Sequence, residues 1–414
     1  MKILFLAEYY PPFIMGGAEI CLESLVNEMI KQGHEVTVLT PNCKNNKDVI
    51  INNDKLTIYR YKSIKRFTYK KKSKDVSAIV YQKSNVLFSL ILNQFVKVFT
   101  WEMLREAKKL LKYETFDIIH SNNVESGLVL SKLKTTAKRV AHIRDLSFTC
   151  LNYRTRNNKY CDYCSMKHIS ECMETNIFFA KLLYFDILRR RLCAILKINN
   201  FITINKYVSD NIFVDSKVIN DPISNKVISK LTKFQARKVC NISNLKNVIL
   251  FVSSLTEIKG ALTVLKLART FPKYNFIVIG DGPLKNEFEN CNLNNLYYKG
   301  RLSLSELRNY YKACDVFLNL STVHYGTGCV VVEAQMNGLP VLSTNVPKLD
   351  NVFINNKTGI IVNNNINDIN EALFRLINYK ALRDTISKNS IESTKDKYNI
   401  EILCKEVINY YDTL

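Results

Sequence analysis

The hydrophobic pattern along the chain switches between two periods. Ile3 to Ala7 is a short, uninterrupted apolar run, which predicts a buried strand. A loop with Pro11, Pro12, Gly16 and Gly17 follows, and then apolar residues recur every three or four positions. Cys21, Leu25 and Met29 form one row and Leu22, Val26 and Ile30 a second, which reads as a helix with a wide apolar stripe. Gly33 ends it and Val36 to Leu39 is the next strand. A strand, a helix and a strand in so short a stretch require a parallel pair with a right-handed crossover. The Gly-Gly loop then lies at the carboxyl end of the first strand, where open α/β sheets bind ligands.

Further strands are expected at Asp117 to His120, Arg139 to Ile143 and Phe201 to Ile204, before a turn-rich break at Asn220, Asp221 and Pro222. The alternation then restarts. Strands are predicted at Val248 to Ser253, Phe276 to Ile279, Leu296 to Tyr298, Val316 to Leu320, Val341 to Ser343 and Ile360 to Val362. Helices are predicted from Gly260, near Leu284, over Ser305 to Lys312, over Gly328 to Met336, and after the last strand to the end. Two successive βα series imply an α/β fold of two Rossmann-like domains with a cleft between them. The expected division is 1–219, 220–395 and a final helix, 396–414, crossing back to pack on the N-terminal domain.

Composition changes this picture in three places. Lys and Arg number 59 against 37 Asp and Glu, a net charge of +22, which implies an anionic partner or a Lys-, Asn- and Ile-rich compositional habit. Only twelve glycines are present where about 7% is usual, so those that remain mark places where the backbone needs them. Twelve cysteines are spread over 414 residues with no export signal and no apolar run of membrane-spanning length. The expectation is therefore a cytoplasmic chain with mostly reduced thiols.

Five segments in order resemble family 4 of the retaining glycosyltransferases. They are Val252 to Gly260, Ile279-Gly280-Asp281-Gly282-Pro283, Tyr298 to Leu302, Gly326 to Ala334 and Asn337 to Val341. The resemblance covers most of the chain. It implies the GT-B fold, two facing Rossmann-like domains, with an acceptor in the N-terminal one and a UDP- or GDP-sugar in the C-terminal one. It also implies transfer of a hexose-type sugar, with retention and without a metal, to a surface polysaccharide or lipid-linked glycan. Retaining members are thought to use no protein nucleophile, the leaving phosphate itself receiving the acceptor's proton.

The residues fit that implication physically. Gly326 and Gly328 precede a helix, so the amides of Cys329 and Val330 can meet a phosphate with the helix dipole behind them. Lys259 opens another helix and can place a full positive charge on the leaving diphosphate. Glu333, one turn into its helix, suits hydrogen bonds from both ribose hydroxyls. Gly16, Gly17 and Gly280 complete the candidate donor contacts.

Two positions depart from the family. Tyr325 stands where its sugar-facing acid is usual, and Ser254 stands where its diphosphate Arg is expected, with Arg301 and Arg308 as candidate substitutes. A catalytically weak or inactive donor-binding relative, acting as a partner subunit, is the alternative these changes raise. In His142-Ile143-Arg144-Asp145, Asp145 matches the acid of the family's strand-terminal His-Asp pair and Arg144 replaces the His. Asp145 is expected to position the acceptor hydroxyl, the alternative being a loop-stabilising carboxylate.

Cys150, Cys161, Cys164 and Cys172 form a candidate structural zinc site, weighed against four free thiols. The stretch Lys62 to Lys74 is rich in Lys and Arg and contains no acid. Its Lys65, Arg66, Lys70, Lys71 and Lys72 are candidate contacts to an anionic membrane surface, to which Phe178 to Leu196 could add an amphipathic face. Peripheral association with the inner face of the cell membrane is expected. No helix-turn-helix, zinc-finger spacing or RNP-like aromatic run supports a nucleic-acid partner.

Overall fold

The computed structural model describes residues 1–14, 16–44, 47–64, 86–150, 155–156, 159–160, 165–172, 176–322, 328–346, 352 and 354–414. Of these, 86–96, 155–156, 159–160, 172 and 186 are described by their backbone alone. The described residues form two compact units: the chain through Pro222 together with Ile400–Leu414, and Ile223–Asn399.

The first unit is built on strands β1 (Lys2–Leu6), β2 (Glu35–Asn42), β3 (Val49–Asn53), β4 (Leu56–Lys62), β5 (Ile118–Ser121) and β6 (Lys138–Ile143). A two-stranded hairpin, β7 (Thr155–Arg156) and β8 (Lys159–Tyr160), stands apart, and β9 (Asn200–Thr203) and β10 (Lys217–Val218) complete the sheet. Its order is β10-β9-β6-β5-β1-β2-β4-β3, parallel throughout except for the antiparallel β3–β4 edge.

Alternate residues of β1 feed two cores, which is why its apolar run is continuous. Ile3 and Phe5 pack with Leu22, Val26 and Met29 of the helix Gly17–Lys31 and with Leu403 and Val407 of the helix Ile400–Asp412. Leu4 and Leu6 pack on the opposite face with Met103 and Ala107 of the helix Val86–Tyr113 and Val129 of the helix Val124–Leu130.

Two strands and one buried carboxylate carry no clear signal in the sequence. β3 is exposed at all five residues, so no buried face imposes a period on it. β4 contains the buried Arg60, whose charge interrupts the apolar pattern; its guanidinium donates to the carbonyls of Tyr10 and Pro11 and clamps the loop after β1. Asp221, in the turn-rich break, is buried within the first unit.

The second unit has six parallel strands, β11 (Val248–Val252), β12 (Asn275–Ile279), β13 (Leu296–Tyr298), β14 (Val316–Asn319), β15 (Val341–Thr344) and β16 (Ile360–Val362), in the order β13-β12-β11-β14-β15-β16. In local numbering that is 3-2-1-4-5-6, the doubly wound arrangement. Successive strands are added on one side of β11 up to β13 and on its other side from β14, so a ligand crevice is expected at the carboxyl ends of β11 and β14, where that order switches. The break between units falls at Pro222–Ile223 and the return at Asn399–Ile400. No described helix is long and apolar enough to cross a membrane.

Candidate active site

The loops after β11, β12 and β14 are tied together at the carboxyl end of the second sheet. The amide of Thr322 donates to Ile258 O at 2.8 Å and that of Leu255 to Asp281 O at 2.9 Å. Gly260, with φ +78°, begins the helix Ala261–Thr270, and a Cβ there would stand 2.3 Å from Leu320 O, so any side chain would push the two loops apart. At Gly280, with φ +144°, a Cβ would come still closer to a carbonyl, 1.8 Å from Ser253 O, and its amide is already donated to Gly300 O at 2.8 Å. Packing alone therefore demands glycine at that position.

Lys259 sits immediately before Gly260. The residue as a whole is half-buried, but its amine lies where solvent is scarce, and that desolvation brings its pKa from 10.5 to about 8. Gly328, with φ +65°, heads the helix Cys329–Met336, and its carbonyl accepts from the amides of Val331 and Val332. The amides of Cys329 and Val330 precede the first residue that can bond within the helix. Glu333 is buried in that helix, and burial raises its pKa, an effect opposed by the Tyr311 hydroxyl, which donates to its Oε2 at 2.8 Å.

Tyr311 is fully buried on the helix Leu304–Ala313, its ring against Phe317. Nothing in the sequence marks it, because the two partners lie 22 residues apart on different helices. Ser254 is half-buried two residues beyond β11. Arg301 is exposed, and Arg308 reaches the carbonyl of Lys226.

In the first unit, Arg144 and Asp221 form a buried ion pair, and the same guanidinium donates twice to Asn122 Oδ1, at 2.9 and 3.0 Å. His142 Nε2 lies 4.0 Å from Asp221, and its Nδ1 lies 3.3 Å from His120 Nε2. His120 Nδ1 meets the Tyr411 hydroxyl at 2.5 Å, which joins the final helix to the sheet. Burial, helped by the nearby Arg144 charge, lowers both imidazole pKa values, that of His120 to about 3, so the pair is neutral. Asp145 is half-buried and turns one oxygen inward, accepting from the Ser147 amide at 2.8 Å. Gly16 precedes the helix Gly17–Lys31, and its amide is held by Glu19 at 2.8 Å, so part of that helix N-terminus is already occupied by the chain's own carboxylate.

Comparison with known proteins gives the family and the fold. The family model described as Glycosyl transferases group 1 matches residues 232–393, and that described as Glycosyltransferase Family 4 matches 15–160. The chain is a family 4 glycosyltransferase. An uncharacterized glycosyltransferase, MJ1178, of Methanocaldococcus jannaschii is 32% identical over 173 residues, 41% of this chain and 48% of that one, so the match spans about half of that relative. The UDP-Gal:alpha-D-GlcNAc-diphosphoundecaprenol alpha-1,3-galactosyltransferase of Escherichia coli is 26% identical over 304 residues, 70% of this chain and 74% of that one.

Among solved structures, sucrose-phosphate synthase from Thermosynechococcus elongatus has a TM-score of 0.74 at 17% identity, covering 100% of this chain and 98% of that one. HepE of Anabaena in complex with UDP-glucose has a TM-score of 0.65 at 16% identity, covering 100% of both chains. At these identities the likeness establishes the fold, which is GT-B.

Other sequence-derived candidates of this glycosyltransferase are only partly visible. Tyr325, Gly326, Cys161, Cys164, Lys65, Arg66, Lys70, Lys71 and Lys72 lie outside the described residues. Cys172 is described by its backbone at the end of the helix Met166–Cys172. Cys150 is half-buried against the apolar cluster under the first sheet, and no group of three or more metal-ligating side chains occurs among the described residues.

The Tyr311 contact gives a direct expectation. Tyr311→Phe should weaken nucleotide binding by about fivefold, by freeing the Glu333 carboxylate to rotate. Titration calorimetry with the nucleotide reads it. Unchanged affinity would show that Glu333 is held by its helix alone.

Proposed function

We propose that this glycosyltransferase moves a hexose from a UDP- or GDP-sugar to a surface polysaccharide or lipid-linked glycan, with retention at the anomeric carbon. The observation that carries the reading is the placement of Lys259 and the Gly328-headed helix, with Glu333 inside it, on the tied loops where the strand order of the second sheet switches. The amides of Cys329 and Val330 and the Lys259 ammonium neutralise the diphosphate, a role this reading gives to no metal, and Glu333 accepts from the ribose hydroxyls. HepE, crystallised with UDP-glucose, supports the donor class, and the acceptor in the name of the Escherichia coli relative supports a lipid diphosphate substrate. An acceptor of that kind supports work at the inner face of the cell membrane, and this reading includes no nucleic-acid partner.

In the reaction, the acceptor hydroxyl oxygen bonds to the anomeric carbon on the face from which the phosphate oxygen departs, and its proton passes to that phosphate. Asp145, with one oxygen fixed by Ser147, turns its other oxygen to the acceptor hydroxyl. Thermal denaturation against UDP, GDP, ADP and their sugars tests the donor assignment. A ligand at a hundred times its dissociation constant should stabilise the chain by about 2.7 kcal/mol. A flat response to every nucleotide rejects it. Tight binding without transfer or donor hydrolysis would instead favour an inactive donor-binding subunit.

The depressed Lys259 pKa adds a pH dependence. Below about 8 the amine is charged and pairs with the diphosphate; above it the charge is lost in the free enzyme. Nucleotide affinity should therefore fall as pH rises past about 8, approaching tenfold per pH unit. Lys259→Arg, charged throughout that range, should flatten the profile. A wild-type affinity constant to pH 9.5, about 1.5 units higher, would place the diphosphate away from Lys259.

A further inference from the structure

The helix Ile177–Leu183 runs through a single π turn, Tyr184–Leu188, into the helix Arg189–Ile195. Its inner face has a small core of its own, in which Ala180, Leu183, Ile187 and Leu188 close on Ile169. The outer face is not the polar surface such a helix normally shows to water. Ile177 and Phe178 are 59% and 62% exposed, and Leu182 and Phe185 are 41% and 45% exposed, four large apolar side chains within nine residues.

At 100° per residue, Ile177, Phe178, Lys181, Leu182 and Phe185 fall within about 140° of one another and make a single stripe. The stripe continues past the π turn, since the Arg189 guanidinium lies 5.6 Å from the centre of the Phe185 ring. Lys181, Arg189, Leu196 and Lys197 are exposed along the same segment. Residues 177–197 contain five bases and one acid, Asp186. Arg191 is tied inward to Ser147 O at 2.6 Å, which fixes the segment to the body of the unit.

We propose that this stripe is the face by which the enzyme lies on an anionic lipid bilayer. Aromatic rings and aliphatic side chains sink to the boundary between headgroups and acyl chains, while Lys and Arg remain at the level of the phosphates, their stems lying on the apolar surface. A protein partner is the poorer fit, because lysine is depleted at the apolar core of protein interfaces, whereas here Lys181 sits in the middle of the stripe. The inference rests on the lipid-linked acceptor reading, which requires the enzyme to work at a bilayer.

The test is sedimentation of the full chain with vesicles of phosphatidylcholine, with and without phosphatidylglycerol. Wild type should bind the anionic vesicles, less at high salt, and bind neutral ones weakly. Phe178→Glu with Phe185→Glu, and separately Lys181→Glu with Arg189→Glu, should each reduce binding at least about tenfold. Both double variants should keep the nucleotide-induced thermal shift of wild type, which shows that the donor site and fold are intact. Hydrogen exchange of the wild-type chain reads the same face without a substitution: vesicles should slow exchange across 177–189. Variants that sediment like wild type, or exchange there that ignores vesicles, would overturn the proposal. Vesicle binding that needs the stripe in a chain unmoved by any nucleotide would overturn the donor assignment alone.

Discussion

Lys259→Ala should lower kcat/KM for sugar transfer by about a hundredfold while leaving the fold at least as stable as wild type. The catalytic loss follows from removing a full charge from a leaving diphosphate in a site where solvent is scarce, which costs about 3 kcal/mol of transition-state stabilisation. The stability gain follows from the sign of the pKa shift. The amine titrates near 8 in the folded chain against 10.5 unperturbed, so at neutral pH the native state carries a desolvated charge that the unfolded state hydrates freely. Alanine removes that penalty together with the function.

Glu333→Ala should likewise reduce transfer at least tenfold, through weaker ribose binding, and it leaves the Tyr311 hydroxyl buried without its acceptor. Steady-state kinetics with calorimetric melting separates the two substitutions. Full activity in both would place the donor outside the second unit.

Asp221→Ala should be strongly destabilising. It removes the carboxylate counter-ion of the Arg144 guanidinium, which is only 4% exposed and is also hydrogen-bonded to Asn122. Breaking a buried pair from one side costs about 3–5 kcal/mol. The transition of the first unit should fall by roughly 10 °C, read by calorimetry of the full chain, in which two units can melt separately. Replacing both partners, Arg144→Met with Asp221→Leu, should recover much of the loss, because no charge is then left uncompensated. An Asp221→Ala chain that melts like wild type would mean that water reaches the guanidinium.

The interior strands were legible for a physical reason. β1, β11, β12 and β14 are covered on both faces, so they appear as continuous apolar runs that no local context disguises. Helix starts at Gly260 and Gly328 were legible because glycine is scarce and both positions need a left-handed backbone. The edge strand β3 was not, since solvent on both sides leaves its residues without a pattern to obey. The helix Val86–Tyr113 escaped for the opposite reason, its first half being apolar nearly all round and so without a period.

By itself, then, the sequence determined the two βα series, the turns that need glycine and the order of the family segments, because each depends on neighbours within a few residues. It also marked Lys259, just before one glycine-headed helix, and Glu333, one turn into another. What it did not determine is the state of those groups. The lowered pKa of Lys259, the Tyr311 hydroxyl on Glu333 and the neutral His120–His142 pair all come from burial and from partners brought in by topology. Asp221 shows this most clearly: in the chain it stands in a turn-rich break that reads as a linker, and in the fold it is the counter-ion of an arginine 77 residues away. Hydrophobic period and turn chemistry are local, whereas desolvation and charge pairing depend on what the completed fold places within a few ångströms, and only the tertiary structure decides that.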